Sequence, residues 1–231
     1  MMSPPFYLRQ IEAGPMENFV YLVGDRNKRE CVMIDPAWEV DRVLNIAGAD
    51  GMKVTGGLVT HTHFDHVNGV EDLIAATQGK IYVHKTEAEF LKGLKGHVEK
   101  VEAGFKLEVG NLEITFIHTP GHTPGSQCFL VKDPSPSPLP DGERDGVKGQ
   151  TLISGDTLFI NACGRCDLPG GSAEQMHESL TRLAKLGDDV ILLPGHNYAD
   201  EPTSTIGREK QSNPYYQCRS LSEFLAFRMG G

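Results

Sequence analysis

The sequence has no run of about 20 consecutive apolar residues, the length a membrane-crossing helix needs, so no transmembrane segment is expected. Its start, Met1-Met2-Ser3-Pro4-Pro5, has neither a basic stretch nor an apolar one, so no secretory signal is expected either. It has no cluster of lysine and arginine. Lys92-Gly93-Leu94-Lys95-Gly96-His97 comes nearest and reads as a solvated loop. With a net charge of −9, that argues against a nucleic-acid partner held by counterion release. No Gly-x-Ser-x-Gly elbow occurs, so no serine nucleophile of that type is expected. The five cysteines are an odd number in a large chain, which speaks against a disulfide framework. Cys163-x-x-Cys166 has no second pair to complete a zinc knuckle. Unpaired, reduced thiols are the expectation, and with them a cytoplasmic location.

What is present suits a globular enzyme. The 231 residues fit one domain able to bury a core without staples, and 39% hydrophobic and 23% charged residues are ordinary values. Phe6–Glu12, Asn18–Gly24 and Cys31–Ile34 read as an antiparallel meander, and Val40–Ala49 as an amphipathic helix. Gly56–Thr60 reads as a buried strand, followed by a helix over Val67–Thr77, a strand Ile81–His84 and a helix Glu87–Leu94. Leu112–His118, Gln127–Val131, Thr151–Ser154 and Val190–Leu193 are further strands. Ala173–Lys185 is a helix capped by Ser172, and the short tail Gly207–Gly231 is helical with a break at Pro214. The Pro/Ser-rich stretch at 132–150 reads as an exposed hairpin excursion inside the single domain, not as a linker.

The chemistry is concentrated in His61-Thr62-His63-Phe64-Asp65-His66. Imidazole nitrogen and carboxylate oxygen are the common ligands of zinc and of first-row metals generally. A lone histidine is more often a core or surface residue than a ligand. Three with an aspartate, between a strand and a helix, are hard to obtain by chance. In an extended loop, His61 and His63 point the same way, while Asp65 and His66 near the helix start can reach a second, neighbouring centre.

This run, His-x-His-x-Asp-His, resembles the signature of the metallo-β-lactamase superfamily. So do the three later sites, each after a strand: His122 in Thr119-Pro120-Gly121-His122, Asp156 in Ser154-Gly155-Asp156-Thr157 and His196 in Pro194-Gly195-His196. The similarity extends over about residues 18 to 200. It implies an α/β fold, a four-layer αββα sandwich of two mixed sheets flanked by helices. It implies two divalent metal ions: His61, His63 and His122 at the first, Asp65, His66 and His196 at the second, and Asp156 between them. Zinc is the expected metal, and the same ligands accept iron or manganese. A hydroxide shared by the metals would attack an acyl carbon, with Asp65 as the catalytic residue that orients it.

The stretch from Gly155 to Leu168, with Cys163-Gly164-Arg165, is similar to the corresponding loop of glyoxalase II and its relatives, among them the persulfide dioxygenases. By that resemblance Arg165 would bind the carboxylate of a glutathionyl substrate; a structural arginine bonded to loop carbonyls is the competing reading. The tail is too short for the helical domain of glyoxalase II, so the chain is similar to a short branch of that group. The expected function is a metal-dependent thioesterase acting on a small acylglutathione-like substrate. The alternative is an iron-dependent dioxygenase of glutathione persulfide, with iron at His61, His122 and Asp156. A nuclease lacks support from the charge, and a flavodiiron protein would need a following flavin domain. His84, His97, His118 and His177 fit no ligand position, and His118 is a candidate support for His122.

Overall fold

The computed structural model describes residues 5–94, 96–132 and 149–230. Alternating apolar residues start the chain as β1 (Phe6–Ala13), β2 (Asn18–Asp25) and β3 (Glu30–Ile34), an antiparallel meander. After helix α1 (Val40–Ala49), strand β4 (Lys53–Leu58) joins β3 in parallel. Beyond it, β5 (Lys80–His84) and β6 (Val98–Val101) extend the sheet, again in parallel. The result is a six-stranded mixed sheet in simple sequence order.

The second sheet also starts as a meander: β7 (Lys106–Val109), β8 (Leu112–His118), β9 (Gln127–Lys132) and β10 (Gln150–Gly155). A small hairpin follows, β11 (Leu158–Phe159) with β12 (Ala162–Cys163). Then β13 (Ile191–Pro194) pairs with β10 in parallel, and β14 (Ser204–Thr205) closes the edge. The order is β14-β13-β10-β9-β8-β7, so this sheet too is mixed.

The sheets pack face to face. Phe19, Tyr21 and Val23 of β2 meet Ile114 and Phe116 of β8, Phe129 of β9 and Leu193 of β13. Phe116 and Phe129 meet edge-on at 4.8 Å between ring centroids. Burying such a ring contributes about 1.5–3 kcal/mol of transfer free energy. The opposite face of β2, with Val20 and Leu22, packs on Val40, Val43 and Ala47 of α1 and on Val70, Leu73 and Ile74 of α3 (Val70–Thr77). That is why every residue of β2 is buried. The outer face of the second sheet is covered by α4 (Ala173–Leu183), α5 (Ile206–Ser212) and α6 (Leu221–Met229), through Met176, Leu180, Ile206 and Phe224. The layers are therefore helix, sheet, sheet, helix, as expected for an αββα sandwich.

Several expected boundaries move. The helix expected over Val67–Thr77 is two pieces, α2 (Phe64–Val67) and α3, broken at Asn68-Gly69. There the Gly69 amide donates to the Pro36 carbonyl at 3.1 Å, and a Cβ on Gly69 would lie 2.3 Å from Val40 Cγ2. The α3–α1 contact, not helical continuity, fixes that backbone. The helix expected over Glu87–Leu94 is a tight 3₁₀ segment, Ala88–Leu94, with Leu91 off helical geometry at φ −105°. The strand expected to reach Thr60 stops at Leu58, because Thr60 is turned onto Asp35. Strands β6 and β7 were not expected: each is only four residues long and half charged. The hairpin excursion expected at 132–150 lies almost wholly outside the described residues; its ends, Lys132 and Gln150, face each other in the β9–β10 ladder. Among the described residues no helix is long and apolar enough to cross a membrane.

Candidate metal centre

Strands β8, β10 and β13 run the same way, so their C-terminal ends meet at one edge of the second sheet, beside the end of β4 in the first. Each end delivers part of the cluster. Beyond β4, His61 lies in the loop and His63, at φ −62° and ψ 145°, forms the N-cap of α2. Asp65 and His66 occupy that helix's first turn. His122 follows β8, Asp156 follows β10 and His196 follows β13. The last two loops are tied together, since the Gly195 amide donates to the Gly155 carbonyl at 2.9 Å. The Phe19 amide in turn donates to the Gly195 carbonyl at 2.8 Å, joining the His196 loop to the first sheet.

All seven expected metal ligands come together. His61, His63 and His122 form one group, Asp65, His66 and His196 another, and His61, His66 and Asp156 a third; within each, the candidate ligand atoms lie within 4.8 Å of one another. Asp156 lies between the first two groups. Its Oδ2 is 3.6 Å from His122 Nε2, and its Oδ1 is 3.4 Å from His66 Nε2 and 3.5 Å from His196 Nε2.

The outer hydrogen bonds orient the rings. His122 Nδ1 donates to the Arg165 carbonyl at 2.8 Å, His196 Nδ1 to the Met16 carbonyl at 2.8 Å, and His66 Nδ1 to Asp35 Oδ2 at 2.9 Å. These partners assign the tautomers and leave each Nε2 lone pair facing inward. Yet His66 Nε2 and His196 Nε2 stand 3.2 Å apart, and His63 Nδ1 is 3.1 Å from His61 Nε2 and 2.9 Å from His122 Nε2. Nitrogen pairs this close need a proton or a cation between them. Asp156 Oδ1 is buried and accepts no hydrogen bond. The donor set and this orphaned oxygen both fit bound metal.

Charge follows the same logic. Burial, then the neighbouring imidazoles, hold His61 well below its ordinary pKa, and burial likewise lowers His63. Burial also opposes charge on His66, but Asp156 and Asp35 outweigh it and raise its pKa well above normal. Asp156 is kept ionised against its burial chiefly by His66.

Three supporting residues went unrecognised in the sequence. Asp35, at a left-handed φ of 51°, binds His66 and also accepts from the Thr60 amide and hydroxyl at 2.7 Å each. Asn18 donates to Asp65 Oδ2 at 2.9 Å and accepts from Trp38 Nε1 at 2.9 Å. Glu87 is the third. The only sequence signal for any of them is an Asp directly after β3, in Ile34-Asp35-Pro36. The Arg165 side chain pairs bidentately with Asp167, Nε to Oδ1 at 3.0 Å and Nη2 to Oδ2 at 2.7 Å. Its carbonyl, not its guanidinium, touches the centre. Cys163 and Cys166 are free and buried nearby, as expected. His118 stacks on His84 at 4.0 Å and donates to the Pro124 carbonyl in the His122 loop, without touching His122 itself. Aromatic rings flank the cluster: Tyr198 stacks on His196 at 4.6 Å, and Phe64, 72% exposed, stands edge-on to Trp38.

A profile of the metallo-beta-lactamase superfamily matches residues 13–135 and 145–196. The chain belongs to that superfamily. It is 31% identical over 212 residues to a probable polyketide biosynthesis zinc-dependent hydrolase, BaeB, of Bacillus velezensis, covering 91% of this chain and 87% of the relative. It is 30% identical over 247 residues to the hydroxyacylglutathione hydrolase of Pseudomonas entomophila, covering 92% and 88%. Among solved structures it superposes on ETHE1 from Myxococcus xanthus with a TM-score of 0.82 at 30% identity, covering 96% of this chain and 90% of that one. A second, TTHA1623 in a di-iron-bound form, gives 0.72 at 30% identity, covering 90% and 99%. This superfamily member thus carries an assembled histidine–aspartate cluster suited to divalent metal.

Proposed function

We propose that the protein hydrolyses a thioester carried on a glutathione-like thiol, at a two-metal centre. One observation carries this reading: Asp156 turns one carboxylate oxygen toward the His122 side and the other toward His66 and His196. In this reading His61, His63 and His122 would hold the first metal, Asp65, His66 and His196 would hold the second, and Asp156 would serve both. Metals bound there would lower the pKa of a water to about 7 and polarise the substrate carbonyl.

The chain's own residues do the rest. Asn18 fixes the Asp65 carboxylate, so that Asp65 can orient the attacking water as the catalytic residue. Asp35 and the Arg165 and Met16 carbonyls hold the imidazoles in place. A thiolate is a good leaving group, so this reaction needs no strong general acid. Arg165 is the proposed anchor for a substrate carboxylate. Its pair with Asp167 is exposed, and such a pair holds by only about 0–1 kcal/mol, so an incoming carboxylate can displace Asp167. The hydroxyacylglutathione hydrolase and the zinc-dependent hydrolase among the relatives support this reading and zinc as the metal.

The likeness to ETHE1, whose human form is a persulfide dioxygenase 29% identical to this chain over 215 residues, favours a second reading, an iron-dependent persulfide dioxygenase. Two histidines and one carboxylate with open positions suit Fe(II) and oxygen, and His61, His122 and Asp156 would supply them. Elemental analysis of protein purified without added metal, with an S-lactoylglutathione hydrolysis assay on the same sample, separates the two. About two equivalents of zinc with rapid hydrolysis is the expected result. One equivalent of iron, no hydrolysis and oxygen uptake with glutathione persulfide would replace it with the dioxygenase.

A further inference from the structure

Glu87 belongs to no ligand group. It lies in the turn after β5 and is only 2% exposed. Its carboxylate reaches two loops that share no strand. Oε2 accepts from the Thr62 amide at 3.2 Å and from the Thr62 hydroxyl; Oε1 accepts from the Gly125 amide at 2.8 Å. Thr62 stands between His61 and His63. Gly125 closes the loop that carries His122. The approach requires glycine there, since a Cβ on Gly125 would come within 2.4 Å of Glu87 Cγ. A buried carboxylate is tolerated only where its oxygens are satisfied. Here the satisfying groups come from the two arms that meet at His63 Nδ1, with His61 on one side and His122 on the other.

We propose that Glu87 is the positioning residue of the first metal position. It holds the His61/His63 arm of the first sheet at a set distance from the His122 arm of the second, and so sets the affinity of that position without touching the metal. The inference rests on the grouping of ligands given above and not on the identity of the substrate.

The test is calorimetric titration of metal-stripped protein with zinc. Wild type, Glu87→Ala and Glu87→Gln are compared with two references, His63→Ala for loss of the first position and His196→Ala for loss of the second. Glu87→Ala should weaken the binding event missing from His63→Ala by about 10–100-fold, the usual effect of removing a residue that orients ligands. The event missing from His196→Ala should keep its affinity. Glu87→Gln keeps an acceptor for Thr62 but sets an amide N–H against the Gly125 N–H, so it should weaken the same event by less. Unchanged affinity at both positions in Glu87→Ala would overturn the proposal. So would equal weakening at both together with a lower melting temperature of the zinc-free protein, which would make Glu87 a support of the fold at large. If Glu87→Ala does not fold, Glu87→Gln decides by the same readings. A wild type that binds a single zinc ion would defeat the two-metal reading, and Glu87 would then be judged on the His63-dependent event alone.

Discussion

Arg165 and Asp167 show how one neighbour changes what a residue offers. Arginine after Cys163-Gly164 resembles a substrate anchor, yet both carboxylate oxygens of Asp167 already occupy its guanidinium. If a substrate carboxylate competes for the same fork, Asp167→Ala should lower KM for S-lactoylglutathione, by up to about fivefold for an exposed pair, and Arg165→Ala should raise it, both with little change in kcat. Steady-state kinetics decide it; an unmoved KM in both variants makes the pair structural. His84 is the other informative residue. Burial, then stacked His118, push its pKa down to about 4 from an ordinary 6.5. The unfolded chain takes up this proton at a higher pH than the folded one. The neutral ring's contribution is therefore complete above pH 6.5 and lost as pH falls toward 4, up to about 3 kcal/mol. Urea midpoints between those pH values should fall less steeply for His84→Gln than for wild type. The cluster residues were legible in the sequence because four of them fall in one six-residue run and the family resemblance picks out the other three after later strands. Asp35 and Glu87 were not, because an isolated acidic residue acquires its role only from partners brought by the fold.

At the scale of elements, the same distinction holds. The α1 and α4 patterns were readable because each buries one stripe, and Ser172 was readable as a cap because its hydroxyl accepts from the Gln175 amide. The break at Asn68-Gly69 was not readable, since it is imposed by Val40 and Pro36 on another element. Helix α4 also constrains the site. Gly121, at φ 143°, lies so close that a Cβ would stand 2.5 Å from the Met176 amide nitrogen, and its carbonyl accepts from the Ser172 amide at 2.8 Å. Gly121→Ala would force either α4 or the His122 loop to move. Backbone strain alone should lower stability by about 1–3 kcal/mol. Zinc affinity should fall with it, because His122 is the next residue. Urea unfolding of the zinc-free variant with a parallel zinc titration tests this; wild-type values in both would show that the contact is slack.

For the whole molecule, the important fact is that the cluster lies on the seam between the sheets. His61, His63, Asp65 and His66 come from the first half; His122, Asp156 and His196 come from the second. Metal bound there would add a further tie between two halves that already meet through apolar packing and through hydrogen bonds such as Phe19 to Gly195 and Gly125 to Glu87. At free metal a thousandfold above Kd, binding adds about 4 kcal/mol to stability. For a chain of this length that is roughly 8–16 °C in melting temperature. Scanning calorimetry with and without a chelator should show a loss of that size. A loss near zero would mean that metal binds weakly.

The uneven split also orders events during synthesis. The His61–His66 loop leaves the ribosome well before His196, and the strand that presents His196 pairs only with β10 and β14, both in the later half. An ion met early is held by a few side chains of a half-made protein and can exchange freely. It would become trapped only when β13 docks and brings His196 to the cluster. A metal taken up by the finished protein would therefore be selected late, after the last of the cluster residues is in place.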